Sequence, residues 1–191
     1  MLSVVLCGGN SSRMGDDKGL LLVDNKSWAK AAQEKLMLMN LPTVFSVNEA
    51  QVEKYNLLFP KEQLIVDDAE LALPGPLLGV LSAHVRFPNE DLMVLACDLP
   101  NMNHIVLEKL QEEHLKNNDS KAFVFKFAEQ VEPLCGIYTS KGLAKILAVH
   151  QTKNLTKHSM MYVLDQLQTM YLTSQENWKP YFKNFNSPAD F

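Results

Sequence analysis

The chain has 191 residues, of which 47% are hydrophobic and 21% are charged, a composition typical of a soluble globular protein. Its 18 basic and 22 acidic residues give a formal net charge of −4. That balance excludes a general nucleic-acid-binding role, so any binding of phosphate groups must come from a local cluster of positive charge.

The three cysteines, Cys7, Cys97 and Cys135, are widely spaced and form no CxxC pair. We therefore expect buried thiols in a reducing compartment rather than disulfides or a zinc site. The five histidines show no metal-ligand spacing either. Because the first residues contain neither a basic segment nor a long apolar run, we expect a cytoplasmic protein with no membrane partner.

The first half of the chain alternates between short apolar runs and segments with helical periodicity. The apolar runs predict strands at Leu2–Leu6, Thr43–Val47, Leu64–Val66 and Leu92–Ala96. The helical spacing predicts helices over residues 26–39, after the Pro74-Gly75-Pro76 turn, and over residues 105–115. This alternation predicts an α/β fold with a mainly parallel sheet and helices on both faces.

The last third of the chain has a different pattern. Residues 121–127 and 131–138 are apolar, β-rich runs around a short turn, which predicts an antiparallel pair or a bulged hairpin. Residues 142–149 and 159–167 have helical spacing, and Thr169–Thr173 is a predicted short strand. Because no repeat, low-complexity tract or break in composition is present, we predict a single domain over residues 1–191.

Each of the first four predicted strands turns polar at its carboxyl end. The residues concerned are Gly8 and Gly9 after the first strand, Asn48 after the second, Asp67 and Asp68 after the third, and Asp98 after the fourth. Ligands of open α/β sheets bind outside the carboxyl ends of the strands. We therefore expect these residues to converge on one crevice.

The segment LCGGNSSRMGDDKGLL, residues 6–21, places glycines, serines and charged residues directly after the first strand. Gly8 and Gly9 allow the backbone to approach a ligand, and the small residues that follow offer exposed N–H groups. Arg13 and Lys18 add two positive charges, so the loop has the chemistry of a polyphosphate site. It is not a Walker A loop, since Lys18 is not followed by Ser or Thr, and no GxGxxG fingerprint is present.

The same segment resembles the signature loop of the nucleotidyltransferases, and most of all the LxGGxSxRMGxDK pattern of the molybdenum cofactor guanylyltransferases. Three further blocks resemble that family in order and approximate spacing: GPLLG at residues 75–79, CDLP at residues 97–100 and NFNSPAD at residues 184–190. Two departures are visible. Cys7 stands where the family often has alanine, and residues 154–159 lack an arginine that relatives often carry nearby.

The resemblance implies a three-layer, Rossmann-like nucleotidyltransferase fold. It implies transfer of GMP from GTP to the phosphate of molybdopterin, with release of pyrophosphate and formation of a guanine dinucleotide cofactor. Arg13, Lys18 and Asp98 are the implied catalytic residues, and Asp98 is the implied ligand of a Mg²⁺ cofactor. The implied nucleotide-binding residues are Leu6, Cys7, Gly8, Gly9, Lys18, Asn48, Asp68 and Asp98. Besides GTP and molybdopterin, a molybdoenzyme apoprotein or another protein of cofactor biosynthesis is an implied partner.

Several of these residues also have a purely structural interpretation. Asp98 can cap the following helix, Asn48 can be an ordinary turn residue, and Asp17 can tie its own turn. Asp67 and Asp68 compete for one nucleotide-binding position, and alignment on the Pro-Gly-Pro turn favours Asp68.

Other functions remain open on the same fold. One is nucleotidyl transfer from CTP to the same cofactor or onto a sugar phosphate, and another is a non-catalytic nucleotide-binding or cofactor-binding module. The CDLP block favours GTP, because cytidylyl relatives look more like DQP at this strand end. The presence of Arg13, Lys18 and Asp98 together favours an enzyme, since a passive carrier needs no metal ligand.

Overall fold

Within residues 1–8 and 17–185, seven strands form one mixed sheet, and two further short strands pair separately as a hairpin. The computed structural model describes residues 1–8 and 17–185. The strands are β1 (Leu2–Leu6), β2 (Leu22–Val23), β3 (Lys26–Ser27), β4 (Thr43–Val47), β5 (Leu64–Val66), β6 (Leu92–Ala96), β7 (Ala122–Phe127), β8 (Gln130–Tyr138) and β9 (Thr169–Thr173). The order in the large sheet is β5-β4-β1-β6-β8-β7-β9.

The helices lie between these strands. They are α1 (Trp28–Met37), α2 (Val52–Asn56), α3 (Pro76–Arg86), α4 (His104–Lys116), α5 (Ser140–Gln151) and α6 (Met160–Gln166). Short 3-10 turns occupy Lys18–Leu20, Glu49–Gln51, Lys61–Gln63, Ala69–Leu71 and Glu176–Phe182. Within the described ranges, none of the helices is long and apolar enough to cross a membrane.

The four predicted strands of the first half, β1, β4, β5 and β6, are parallel, as the alternation of strands and helices predicts. Leu6 in β1 lies opposite Ser46 in β4 and Ala96 in β6, so the carboxyl ends of these strands lie at the same level. β8 then runs antiparallel to both β6 and β7, with a register shift between Val124 and Phe125. The predicted bulged hairpin is therefore confirmed, and it makes the sheet a mixed one.

Helices cover both faces of the sheet and bury a separate core on each. α1 and α4 pack on one face, while α3, α5 and α6 pack on the other. Gly79 allows α3 to lie close to the sheet, because a β-carbon there would collide with Ser46 Oγ. These two apolar layers confirm the predicted three-layer α/β architecture.

The predicted boundaries were wrong at one helix. The periodicity predicts a helix from residue 26, but Lys26–Ser27 pairs with Leu22–Val23 as a hairpin, and the Ser27 side chain then caps α1. The turn of that hairpin is formed by Asp24 and Asn25, which both have positive φ angles. The short α2 helix and the 3-10 turn at Glu176–Phe182 were not predicted, since neither has a long apolar period.

The amino-terminal edge of the sheet is tied together by Asp91, which directly precedes β6. Its carboxylate accepts hydrogen bonds from His114 Nε2 at 2.8 Å and from the Ser140 backbone N–H at 2.7 Å. The hydrogen bond from His114 is the main cause that lowers the pKa of Asp91 to about 2. One carboxylate thus joins β6 to the last turn of α4 and the first turn of α5.

We expect Asp91→Asn to lower the free energy of unfolding near neutral pH by roughly 2 kcal/mol, because a depressed carboxyl pKa stabilises the folded state. This stabilisation is present above the unfolded pKa of about 4 and is lost as the pH falls toward about 2. Urea unfolding at a series of pH values measures it. The exposed Asp119→Asn is the control, and a pH-independent difference between Asp91→Asn and the wild type would contradict the assignment.

Candidate functional site

Three of the polar strand ends meet around Gly8. A β-carbon at Gly8 would lie 3.1 Å from Asp67 Oδ2 and 3.9 Å from the backbone nitrogen of Asn48. Asp67 is held in place by Ser46 Oγ, which donates to its Oδ1 at 3.1 Å. Gly8, the second residue after β1, therefore lies in close contact with the Asp67 carboxylate, and its lack of a side chain leaves room for a ligand.

The backbone that follows β1 is fixed by the strands on either side. The N–H groups of Cys7 and Gly8 both donate to the Ser46 carbonyl, at 3.0 Å and 3.1 Å. The Leu6 carbonyl accepts from the Cys97 N–H at 3.1 Å. Because a carbonyl oxygen has two lone pairs, Leu6 O keeps the capacity to accept a second hydrogen bond from a ligand.

Gln51 connects the ends of β1 and β4 to Asp17, the residue directly before Lys18. Its Nε2 donates to the Cys7 carbonyl at 3.0 Å and to Asp17 Oδ2 at 2.7 Å. Its Oε1 accepts from the Asn48 N–H at 2.8 Å, and its own N–H donates to Asn48 Oδ1 at 3.1 Å. Both N–H groups and the oxygen of this buried amide therefore have hydrogen-bond partners. The three partners, Cys7, Asp17 and Asn48, lie in three different segments of the site.

Asp17 is the second member of this network. Its Oδ1 accepts from the Tyr55 hydroxyl and from the Gly19 N–H, both at 3.0 Å. Burial is the main cause that raises the pKa of Tyr55, so the hydroxyl stays protonated and acts as a donor. Asp17 thus caps the short turn at Lys18–Leu20, which confirms the turn-tying interpretation of this residue.

Lys18 reaches from this turn to the end of β6. Its Nζ lies 3.3 Å from Asp98 Oδ2, and the two side chains are 27% and 24% exposed. The Asp98 turn is itself held by other elements, because the Phe185 N–H donates to the Asp98 carbonyl at 2.9 Å. Lys35 of α1 donates to the Pro100 carbonyl, and burial lowers the pKa of this lysine to about 8.

Two cysteines lie beneath these charged groups, at the adjacent ends of β1 and β6. Cys7 and Cys97 are both buried and free, which confirms the prediction of unpaired, buried thiols. The hydrogen bond between the two thiols, together with burial, raises the pKa of Cys97. A protonated, buried thiol is a poor nucleophile, so Cys97 forms part of the floor of the site rather than its chemistry.

The structure shows which of the residues Asp98, Asn48 and Asp68 cap a helix or a turn. Asp98 does not begin α4, because Asn103 is the residue whose side chain accepts from an N–H in the first turn. Asn48 does have a capping role, in a reciprocal pair with Gln51. Asp68 caps the turn at Ala69–Leu71 by accepting from the Glu70 N–H, whereas its neighbour Asp67 faces Gly8.

Part of the predicted site lies outside the described residues. This applies to Gly9 and Arg13 of the first loop and to residues 186–190 of the NFNSPAD block. Among residues 1–8 and 17–185, no group of three or more His, Cys, Asp or Glu side chains could enclose a metal ion. A metal at Asp98 would therefore need most of its ligands from water and from a bound substrate.

Comparison with known proteins identifies the family. The sequence pattern of one family, described as the MobA-like NTP transferase domain, matches residues 3–169. The chain belongs to this MobA-like family. The match includes every strand of the large sheet up to the start of β9, together with Lys18 and Asp98.

Individual relatives agree with this assignment. The chain is 31% identical over 159 residues to the molybdenum cofactor guanylyltransferase of Campylobacter jejuni subsp. jejuni, covering 83% of this chain and 78% of that one. It is 27% identical over 198 residues to a probable molybdenum cofactor guanylyltransferase of a Geobacillus species, covering 100% and 96% of the two chains. The crystal structure of molybdopterin-guanine dinucleotide biosynthesis protein A from Archaeoglobus fulgidus superposes with a TM-score of 0.79, at 25% identity, and covers 100% and 94%.

Nucleotidyltransferases of this family typically use a divalent metal. Sequence reasoning named Lys18 and Asp98 but missed Gln51, which lies in a stretch without a recognisable motif. Its only sequence signal is the spacing of Asn48 and Gln51, an Asn-x-x-Gln pattern that fits a capping box.

We expect Gln51→Leu to weaken nucleoside triphosphate binding by about tenfold and to lower the free energy of unfolding by about 1–3 kcal/mol, because the partly buried Asp17 and the Cys7 carbonyl lose a donor. Urea unfolding and equilibrium binding measure the two effects. Gln33→Leu is the matched control, since Gln33 is also buried but lies beside Thr43, at the amino end of β4. Unchanged nucleotide affinity in Gln51→Leu would contradict a positioning role.

Proposed function

We propose that this chain transfers the GMP moiety of GTP to the terminal phosphate of molybdopterin, forming a guanine dinucleotide cofactor and releasing pyrophosphate. A phosphate oxygen of the acceptor forms a bond to the α-phosphorus of GTP, and the bond from that phosphorus to the oxygen bridging to the β-phosphate breaks. The leaving group takes the electron pair as pyrophosphate. We propose that residues 1–191 act as one domain for this reaction, in the reducing environment of the cytoplasm that three unpaired cysteines favour.

The observation that carries this proposal is the Lys18–Asp98 pair in a MobA-like chain. The pair places a positive charge and a hard oxygen ligand 3.3 Å apart at the carboxyl edge of a parallel sheet. Phosphoryl-group transfer depends on positioning and on neutralising charge on phosphate oxygens. The names of relatives such as those from Campylobacter jejuni and Geobacillus support GTP and the molybdenum cofactor as the two substrates.

Asp98 is suited to hold Mg²⁺. Mg²⁺ is usually bound by one or two carboxylates together with substrate phosphates and water. Asp98 is a partly exposed carboxylate, and among the described residues it belongs to no cluster of three or more His, Cys, Asp or Glu side chains. When bound, the ion supplies positive charge to the oxygens that become more negative during transfer. We propose that Arg13 and Lys18 contribute the remaining positive charge on the nucleotide side.

Lys18 is positioned to move between Asp98 and a phosphate group. Both side chains are only about a quarter exposed, so Lys18 needs an anionic partner at this place, and a phosphate oxygen can serve in place of Asp98. Exchange of one anionic partner for another at Lys18 therefore costs little. Asp17 and its hydrogen bonds hold the backbone of this turn in place while the Lys18 side chain changes partner.

The nucleotide base is proposed to lie over the ends of β1, β4 and β5. Leu6, Cys7, Gly8 and Gly9 would approach it through their backbone, and Asn48 and Asp68 would help to fix the nucleoside. Asp67 joins this set, since its carboxylate faces Gly8. Guanine presents N–H donors that carbonyl and carboxylate oxygens accept, so this oxygen-rich surface suits guanine.

We expect GTP to bind with at least about tenfold preference over CTP and ATP, because a site built to accept hydrogen bonds from a base discriminates against bases that lack those donors. Competition of each nucleotide against a fluorescent GTP analogue measures the preference. Equal affinities would remove the base-selection argument, and a preference for CTP would support the cytidylyl alternative.

We expect Asp98→Asn to reduce pyrophosphate release by roughly 10²- to 10³-fold, because the variant lacks the anionic ligand for the ion that stabilises transition-state charge. GTP affinity should change much less, and the melting temperature should stay close to that of the wild type, because Asn103 and not Asp98 caps α4. Turnover, nucleotide binding and thermal unfolding are measured on the same preparation.

Asp91→Asn is the matched control for this experiment. It makes the same chemical change at the opposite end of β6, where the carboxylate ties α4 and α5 to the sheet. It should lower stability and leave turnover at permissive temperature unchanged. Full activity in Asp98→Asn would remove the metal-binding role from the proposal.

A further inference from the structure

A cavity of about 600 Å³ lies between the β7–β8 hairpin and the C-terminal segment, and the donor side of the site does not account for it. This volume lies within the usual range for small-molecule pockets. The lining residues are Phe127, Gln130, Glu132, Glu176, Lys179, Pro180, Phe182, Lys183 and Asn184. They come from the end of β7, the start of β8 and the 3-10 turn that follows β9.

The cavity lies at the same edge of the sheet as Asp98. β8 is antiparallel to both β6 and β7, so the end of β7 and the start of β8 point to the carboxyl end of β6. The lining residue Asn184 directly precedes Phe185, whose N–H donates to the Asp98 carbonyl at 2.9 Å. The cavity therefore opens beside the proposed transfer site, on the side away from β1, β4 and β5.

The wall of the cavity contains a buried carboxylate, Glu132, which is 8% exposed. Gln130 Nε2 donates to Glu132 Oε1 at 2.6 Å. Burial raises the pKa of Glu132, since removal from water penalises the charged form. A carboxylate has about four lone-pair sites, so a single amide donor leaves capacity for N–H groups of a ligand.

The other walls suit a flat, ring-shaped ligand with a charged end. Phe127 and Phe182 form an edge-to-face pair with ring centroids 4.8 Å apart, and both side chains are buried. Lys179, Lys183 and Glu176 lie at the exposed rim, so two positive charges and one negative charge give the rim a net positive charge. An aromatic interior, one buried acceptor and a cationic rim together match a heterocycle that carries N–H donors and a phosphate.

We propose that this cavity binds the pterin end of the acceptor and that Glu132 accepts hydrogen bonds from the 2-amino group and the adjacent ring N–H of the pterin. The inference rests on the proposed function, because it takes the acceptor to be molybdopterin. With the ring at Glu132, the lysines of the rim face the acceptor phosphate, and that phosphate is directed toward Asp98. Glu132 thereby selects the acceptor, while the residues around Gly8 select the donor nucleotide.

Guanine presents the same pair of N–H donors as a pterin, so the experiment must separate the two ligands. In guanylyl transfer assays, Glu132→Gln should raise the KM for molybdopterin by about tenfold or more, because the amide loses a charged acceptor and turns an NH₂ group toward the ligand donors. The KM for GTP and the kcat should stay within about twofold, since Glu132 does not touch the nucleotide.

Glu129→Gln is the matched control. It removes the same charge from the same hairpin, but the Glu129 side chain is 98% exposed and lies outside the cavity lining. It should leave both KM values unchanged. Gln130→Ala is a second variant, since it removes the hydrogen bond that orients Glu132, and it should raise the KM for molybdopterin without changing the KM for GTP.

Binding of 6-hydroxymethylpterin, followed by its fluorescence in the presence of saturating GTP, gives a readout that does not depend on turnover. The wild type should bind this probe saturably, and Glu132→Gln should bind it about tenfold more weakly or worse. Equal pterin binding by the two proteins would overturn the inference, as would a loss of GTP affinity in Glu132→Gln. Absence of guanylyl transfer by the wild type would instead reject the proposed function, so the two failures are distinguishable.

Discussion

One buried amide, that of Gln51, connects the segments on which the site depends. It holds the Cys7 carbonyl, the Asn48 N–H and the Asp17 carboxylate at distances of 2.7–3.0 Å. An ammonium or guanidinium group could not replace it, because the position requires two donors and one acceptor on the same planar group. The direction in which Lys18 leaves its turn therefore depends on a side chain that has no role in the chemistry itself.

The edge of the sheet at the carboxyl ends of the parallel strands is built in two different ways. On one side, the parallel strands β5, β4, β1 and β6 end at the same level, and their loops carry the glycine and carboxylates proposed for the nucleotide. On the other side, the antiparallel β8 brings the hairpin at Phe127–Gln130 back to this edge. Asp98 lies at the junction, and its turn is bonded both to Lys18 and to Phe185.

The sequence was sufficient to predict the strands of the large sheet and the longer helices, but not the β2–β3 hairpin or α2. Strands such as Leu2–Leu6 and Leu92–Ala96 are buried on both faces, so their continuous apolar runs identify them without tertiary information. Gln51, Asp67 and Glu132 lie in no recognisable motif, so the sequence alone could not select them as site residues over their neighbours. Asp67 and Asp68 are adjacent and chemically identical, and only the packing of β5 against β4 makes one face Gly8 while the other caps a turn.

The order of the strands also determines how the sheet can be assembled during synthesis. β1, β4, β5 and β6 lie within the first half of the chain and can pair before the rest has been made, whereas β8, β7 and β9 can only extend the sheet outward from β6. Until residues 130–138 are available, the outer edge of β6 presents unpaired backbone groups beside the buried side chains Met93 and Leu95. An unpaired apolar edge is a template for association between chains. A chain that ends before β8 would therefore retain the residues proposed to face the nucleotide and still be prone to aggregation.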